Sequence, residues 1–170
     1  VAAMANAYKC AVNEYMLQRG FENAQGQELK PFIPGKEPTD KVVLPDWIGQ
    51  EPYKVTHREY STGFYYPENP ASESITKGGY INAWRWLGSV REYRADEGRV
   101  YILAKNKITP LMSIEFLIPG AGPIEYQIPD HDLRDEFGHE VPEINHPAHE
   151  FSFPCPLSLP TGAMIRTKVR

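Results

Sequence analysis

The chain has 170 residues, 41% of them hydrophobic and 24% charged. That is enough for one domain with its own core, and too apolar for a disordered tail. A formal net charge of −4 excludes general nucleic-acid binding, which needs a basic surface, and the sequence holds no apolar run long enough to span a bilayer.

The 16 prolines favour short strands and loops over long helices. Residues 2–18 read as a helix, with Met4, Tyr8, Ala11, Val12, Tyr15 and Met16 recurring at three- and four-residue spacing, and Gly20 as its stop. Residues 21–52, rich in proline and glycine, read as an irregular connection with Trp47 as an anchor. Tyr53 to His57 alternates as a short strand, and Phe64-Tyr65-Tyr66 forms an aromatic element before Pro67. Ile81, Trp84 and Leu87 sit at helical spacing, which predicts a helix over about 80–94. Strands follow at Arg99–Leu103, Ser113–Ile118 and Ile124–Ile128, the last after the turn Pro119-Gly120-Ala121-Gly122. Asp130 can cap a short helix ending at Gly138, and Ala163 to Val169 reads as a final strand. The expected organisation is one domain over 1–170: an N-terminal helix (1–20), the irregular connection (21–52) and a core (53–170).

Three groups of residues could carry chemistry. Glu125 and Gln127 alternate with Ile124, Tyr126 and Ile128, so both side chains face one side of a strand. A carboxylate beside an amide can hold ribose hydroxyls and stabilise an oxocarbenium ion; the same pattern also suits a solvent-facing stripe. Arg58 can fork onto a diphosphate, with Thr62 and Gly63 leaving room for a ligand and Phe64 and Tyr65 offering flat rings. Of Arg85, Arg91, Arg94 and Arg99, one could be a second phosphate contact, with Arg85 beside Trp84 and Trp86; the same arginines also suit charge pairing with Glu92, Asp96 and Glu97. His131, His139, His146 and His149 lie among several carboxylates, but their spacing does not match a helical two-histidine metal site and Pro147 interrupts any helix there, so no metal ligands are assigned. Cys10 and Cys155 suit either two buried free thiols or one long-range disulfide.

Three segments in order, Arg58 to Pro67, Val100-Tyr101-Ile102-Leu103 leading to Thr109-Pro110-Leu111, and Pro119-Gly120-Ala121-Gly122-Pro123-Ile124-Glu125-Tyr126, resemble the NAD-glycohydrolase domain family named for the tuberculosis necrotizing toxin. This family is related in fold to ADP-ribosyltransferases. The resemblance covers about residues 55–130. It departs from the family where the glutamine of the glutamine-tyrosine pair falls on Glu125, and where Glu59-Tyr60 follows Arg58 without the expected glycine. It implies an α+β fold: the N-terminal helix plus a split, mostly antiparallel β core with short helices, ADP-ribosyltransferase-like. NAD would be a substrate, with no prosthetic group. Glu125 and Gln127 would be the catalytic residues, and Arg58, Thr62, Phe64, Tyr65 and Arg85 would bind NAD. It further implies a bacterial toxin that cleaves the nicotinamide–ribose bond, by hydrolysis or by ADP-ribosyl transfer. Such a toxin is secreted or delivered into a target-cell cytosol and is neutralised by an immunity protein. A chain beginning at Val1 suits a domain released from a longer protein. Two other readings stay open: a ribonuclease using His57 or a histidine of the 131–149 segment as general acid and base, and a non-catalytic protein-binding domain.

Overall fold

In the computed structural model of the chain, residues 1–19, 41–60 and 79–169 are described. Helix α1 spans Ala2–Gln18, and a short helix α2 (Asp46–Gln50) runs into a 3₁₀ turn at Glu51–Lys54. Six strands follow: β1 (Trp84–Arg94), β2 (Arg99–Ala104), β3 (Ser113–Leu117), β4 (Ile124–Gln127), β5 (Glu150–Pro154) and β6 (Met164–Lys168). They form one sheet in the order β4-β3-β6-β1-β2-β5, and every neighbouring pair is antiparallel.

The sheet curls far enough for its two outermost strands to meet. The Tyr126 hydroxyl on β4 donates to the Pro154 carbonyl on β5 at 2.8 Å, and the Tyr126 and Phe153 rings stack at 6.3 Å. Inside the curl lie Leu87, Ile102, Phe116, Phe153 and Ile165, joined from the connecting loops by Ile108, Ile128, Leu133 and Ile144. Burial pushes the Tyr126 phenol up to about 12, with Cys155 beside it adding to the effect, so the hydroxyl stays a donor at any ordinary pH. This architecture replaces the expected split ADP-ribosyltransferase-like core: a single continuous antiparallel sheet stands where two facing halves would be needed.

The segment expected to be a helix over 80–94 is the central strand β1. The spacing of Ile81, Trp84 and Leu87 is misleading because the three share no face: Ile81 precedes the strand and pairs with His57, Trp84 stands against Arg166 on the outer face, and Leu87 is in the core. Two β-bulges also interrupt the period of the strand. The register shifts against β6 between Trp86 and Gly88, and against β2 between Val90 and Glu92. Each bulge inserts one residue, so the apolar side chains turned toward the core are Leu87, Val90 and Tyr93, three apart as in a helix. At Gly88 the strands approach so closely that a Cβ would sit 2.4 Å from the Leu103 carbonyl oxygen.

Other expectations divide. The strands predicted in the second half are present within a residue or two of their expected limits. Residues 53–57 form no strand: the 3₁₀ turn ends at Lys54 and only His57 pairs, with Ile81. Residues 130–138 form turns and bridges instead of a helix. Phe64, Tyr65 and Tyr66 lie outside the described residues. Helix α1 is present, but it buries Ala3, Ala7 and Cys10 and leaves Tyr8, Val12 and Tyr15 exposed. Small side chains let the helix settle closely on Ile48 and Trp47. Cys10 and Cys155 are both free and buried, and burial raises both thiols above their ordinary range. Among the described residues no helix is long and apolar enough to cross a membrane.

The loop after β4 is fastened by a set of charges. Arg99 is buried, donating to the Asp132 carboxylate at 2.5 Å and to its carbonyl at 2.6 Å, while Arg134 Nε donates to the other Asp132 oxygen at 2.6 Å. Burial works to raise the Asp132 pKa, but the hydrogen bonds from the two arginines outweigh it and hold the carboxyl below its usual range.

Two outcomes follow for stability in urea. Gly88→Ala should cost about 1–3 kcal/mol, because the obstructing atom belongs to a neighbouring strand and not to a movable side chain. Asp132→Asn should cost about 1–3 kcal/mol at neutral pH. A depressed folded-state pKa contributes stability that is present above the unfolded carboxyl value near about 4 and lost as pH falls through the folded value. The wild-type protein should therefore lose stability more steeply in acid than Asp132→Asn; parallel pH profiles would contradict this role.

Candidate functional site

The face of the sheet turned away from the core carries a row of charge. Trp86, Arg166, Glu115 and Glu125 stand side by side in register across β1, β6, β3 and β4. In the adjoining positions Trp84 pairs with Lys168, and Ser113 with Gln127. Part of this face is roofed by α2 and the 3₁₀ turn, which bring Glu51 and Lys54 down onto it.

The result is a buried ion network. Arg166 (5% exposed) donates to Glu115 (6%) from Nε at 2.8 Å and from Nη2 at 2.5 Å. It also forks onto Glu51 (1% exposed), with distances of 2.9 and 2.5 Å. Lys54 Nζ donates to the remaining Glu115 oxygen at 2.8 Å and lies 3.8 Å from Glu51. Two cations thus balance two carboxylates. Burial alone would lower the Arg166 pKa, but the hydrogen bonds to Glu51 and Glu115 more than offset it, so the guanidinium is held charged. The Trp84 ring completes the assembly, with Lys54 Nζ 4.8 Å and the Arg166 guanidinium carbon 4.9 Å from its centre, close enough for cation–π attraction.

Beside the network opens a cleft of about 400 Å³ lined by Trp84, Ser113, Ile114, Glu115, Glu125, Tyr126, Gln127 and Lys168. Two carboxylates opposite each other on an antiparallel pair repel. Glu115 is neutralised by Arg166 and Lys54, and this lets Glu125 stand next to it. Glu125 itself is exposed and has no ionic or hydrogen-bonding partner among the described residues, and the same holds for the Lys168 ammonium. Gln127 Nε2 donates to the Leu111 carbonyl at 3.3 Å, which leaves its own carbonyl oxygen available.

Of the residues expected to form a site, Glu125 and Gln127 share this cleft, facing the same way as the alternation required. Arg85 lies elsewhere, in an adjoining cleft with Thr109, Leu111, Thr167 and Lys168. Arg58 is exposed with its guanidinium 5.0 Å from the Tyr80 ring centre, and it lines neither cleft. Thr62, Phe64 and Tyr65 lie outside the described residues. The glycine turn at 119–122 does not open space for a ligand. It receives the N-terminal layer: the Gly120 N–H donates to Asn6 at 2.7 Å, Asn6 donates back to the Ala121 carbonyl at 2.9 Å, and the Trp47 ring covers Gly122. His57 is held by a bond from Nδ1 to the Val55 carbonyl at 2.8 Å and by stacking on Tyr60. His131, His139 and His149 each lean on one carboxylate, and among the described residues no three His, Cys, Asp or Glu side chains converge as metal ligands.

Comparison with known proteins bears on the same part of the chain. The family model described as the peptidase family U32 C-terminal domain matches residues 82–166, a span that runs from just before β1 into β6. The chain belongs to this family. Two crystal structures of the U32 C-terminal domain from a Geobacillus thermoleovorans protein, native and selenomethionine variant, are similar at 24% identity and a TM-score of 0.45. The similarity covers 50% and 49% of this chain and 92% and 99% of theirs. No curated protein matches the chain.

Membership in the U32 C-terminal domain family overturns the resemblance to the NAD-glycohydrolase family, and with it the expected toxin activity on NAD and the ADP-ribosyltransferase-like fold. Secretion and an immunity-protein partner were implied by that resemblance alone. The similarity rested on short arginine-aromatic and glycine-rich stretches, and here the glycine-rich stretch is a helix-docking turn. The residues that sequence reasoning passed over are Glu51, Lys54, Glu115, Arg166 and Lys168. The one available signal was the alternation of Glu115 with Ile114 and Phe116, which places a carboxylate opposite the core face.

Arg166→Met should cost about 3–5 kcal/mol in urea unfolding, because it leaves Glu51 and Glu115 buried without their shared cation. Lys54→Met, at the rim of the network, should cost clearly less. Equal losses would show that the two cations are interchangeable and that Arg166 is not the centre of the network.

Proposed function

We propose that this chain is a recognition domain of a U32 peptidase-type protein, and that the cleft over β1, β6, β3 and β4 holds an extended peptide through a basic side chain. The observation that carries the reading is Glu125: a carboxylate with no partner among the described residues, in a cleft whose neighbouring carboxylate is already compensated by Arg166 and Lys54. A Lys or Arg side chain entering there would meet Glu125 and lie along the Trp84 ring, a favourable environment for a cation. The free carbonyl oxygen of Gln127 can accept a backbone N–H, and the Ser113 hydroxyl can serve either polarity.

The reading assigns recognition to this domain and not bond cleavage. The lining includes a serine but neither histidine nor cysteine, so among the described residues no activated nucleophile faces the cleft. The family, a C-terminal domain of peptidase family U32, makes polypeptide the natural ligand class.

The test is titration calorimetry of the domain with short acetylated peptides, each containing one arginine. Micromolar to millimolar binding is expected, weakened about tenfold by Glu125→Gln, which removes the charge and keeps the shape. Replacing the peptide's arginine by citrulline should have the same effect. Absence of binding by the whole set, or indifference to Glu125→Gln, would refute the assignment.

A further inference from the structure

The cleft that holds Glu125 also holds a positive charge without a partner. Two residues on from Arg166 in β6, Lys168 faces the same side of the sheet and lines the cleft beside Trp84, its partner on β1. Lys168 is exposed, and its ammonium has no ionic or hydrogen-bonding partner among the described residues. The carboxylates lining the cleft are Glu115 and Glu125. Glu115 is already bound by Arg166 on one oxygen and by Lys54 on the other. On its far side Lys168 borders the neighbouring cleft, whose lining contains no carboxylate.

The ion network leaves both charges over. Arg166 and Lys54 balance Glu51 and Glu115, so the network is neutral in itself. The cleft is left with one carboxylate, Glu125, and one ammonium, Lys168, on a single face. Glu125 is on β4 and Lys168 on β6, with β3 between them. The register sets them two strand spacings across and two residues along, or about 12 Å between Cα positions. A ligand with only a basic group satisfies Glu125 and brings that group toward Lys168, a like charge. A ligand with a basic and an acidic group satisfies both. In an extended peptide, residues four apart face the same side and lie about 13 Å from each other. The flexible four-carbon stem of Lys168 takes up the difference.

We infer that Lys168 is a specificity-determining residue of this cleft, selecting peptides in which the basic residue is paired, four positions away, with an acidic one. The inference rests on the peptide reading of the cleft and adds a second, opposite charge to the ligand.

The experiment titrates N-acetyl-Arg-Gly-Ala-Gly-Glu amide, and the reversed sequence N-acetyl-Glu-Gly-Ala-Gly-Arg amide, by calorimetry at low salt. Each is compared with versions carrying Gln or Lys in place of Glu. The proteins are the wild-type chain, Lys168→Gln, Lys168→Glu and Glu125→Gln, with folding verified by circular dichroism. In one of the two chain directions the Glu peptide should bind the wild type about two- to fivefold more tightly than the Gln peptide, with the Lys peptide weaker again, as suits an exposed ion pair. Lys168→Gln should bring the three peptides together, and Lys168→Glu should reverse their order, a result that a merely structural role for Lys168 would not give. Equal binding of all three to the wild type in both directions, weakened by Glu125→Gln, would overturn the role of Lys168 and keep the peptide cleft. A preference for Glu that survives in Lys168→Glu would overturn it as well. No binding of any peptide to the wild type would overturn the peptide reading along with it.

Discussion

Arg166 makes the N-terminal layer and the sheet into one object. Its guanidinium binds Glu115 from the sheet and Glu51 from the layer above, so neither carboxylate could be buried without it. Lys54 brings the second positive charge from the same layer. An ion network of this kind contributes little net stability compared with an apolar contact of equal size. Its effect is on geometry: only one seating of the short helix and 3₁₀ turn satisfies both carboxylates. Asn6 and Trp47, meeting the turn at 119–122, fix the same seating from the far side.

The same network sets the chemistry of the exposed face. Glu115 spends its charge inward, on Arg166 and Lys54, and Glu125 on the next strand is left to face solvent. A cross-strand pair of carboxylates would ordinarily be split by natural selection for stability. Here one member has been converted into structure, and the other faces solvent with no partner among the described residues. Trp84 belongs to both roles, one part of its surface against the buried cations and another lining the cleft.

Much of the sheet was legible in the sequence, and the reason is its regularity. β2, β3, β4 and β6 alternate with period two and were readable as strands, and the facing of Glu125 and Gln127 followed from that alternation alone. β1 reads as a helix from Ile81, Trp84 and Leu87, which fall on different faces of the folded chain, and its two bulges break the period that would have marked a strand. β5 alternates too, as Glu150-Phe151-Ser152-Phe153, and was passed over because it ends in Pro154 and follows a histidine- and proline-rich loop. The ion network was out of reach for a different reason: Glu51 and Arg166 are separated by most of the chain, and nothing local marks two charges that meet only after folding. At the 119–122 turn the glycines leave room for a close approach, and nothing local in the sequence says that the approaching groups are the protein's own Asn6 and Trp47.

The meeting of Tyr126 with Pro154 has a consequence for how this domain can recognise anything. An open sheet offers two backbone edges to which a foreign strand can be added, a route both to peptide binding and to aggregation. Here the curl draws the two outer strands toward one another, and a side-chain bond ties the gap between them. Strand addition is thereby disfavoured at both margins. Under the proposed reading, selectivity falls to the side chains that stand on the outer face, and it can change by substitution there while the backbone ladder beneath stays as it is.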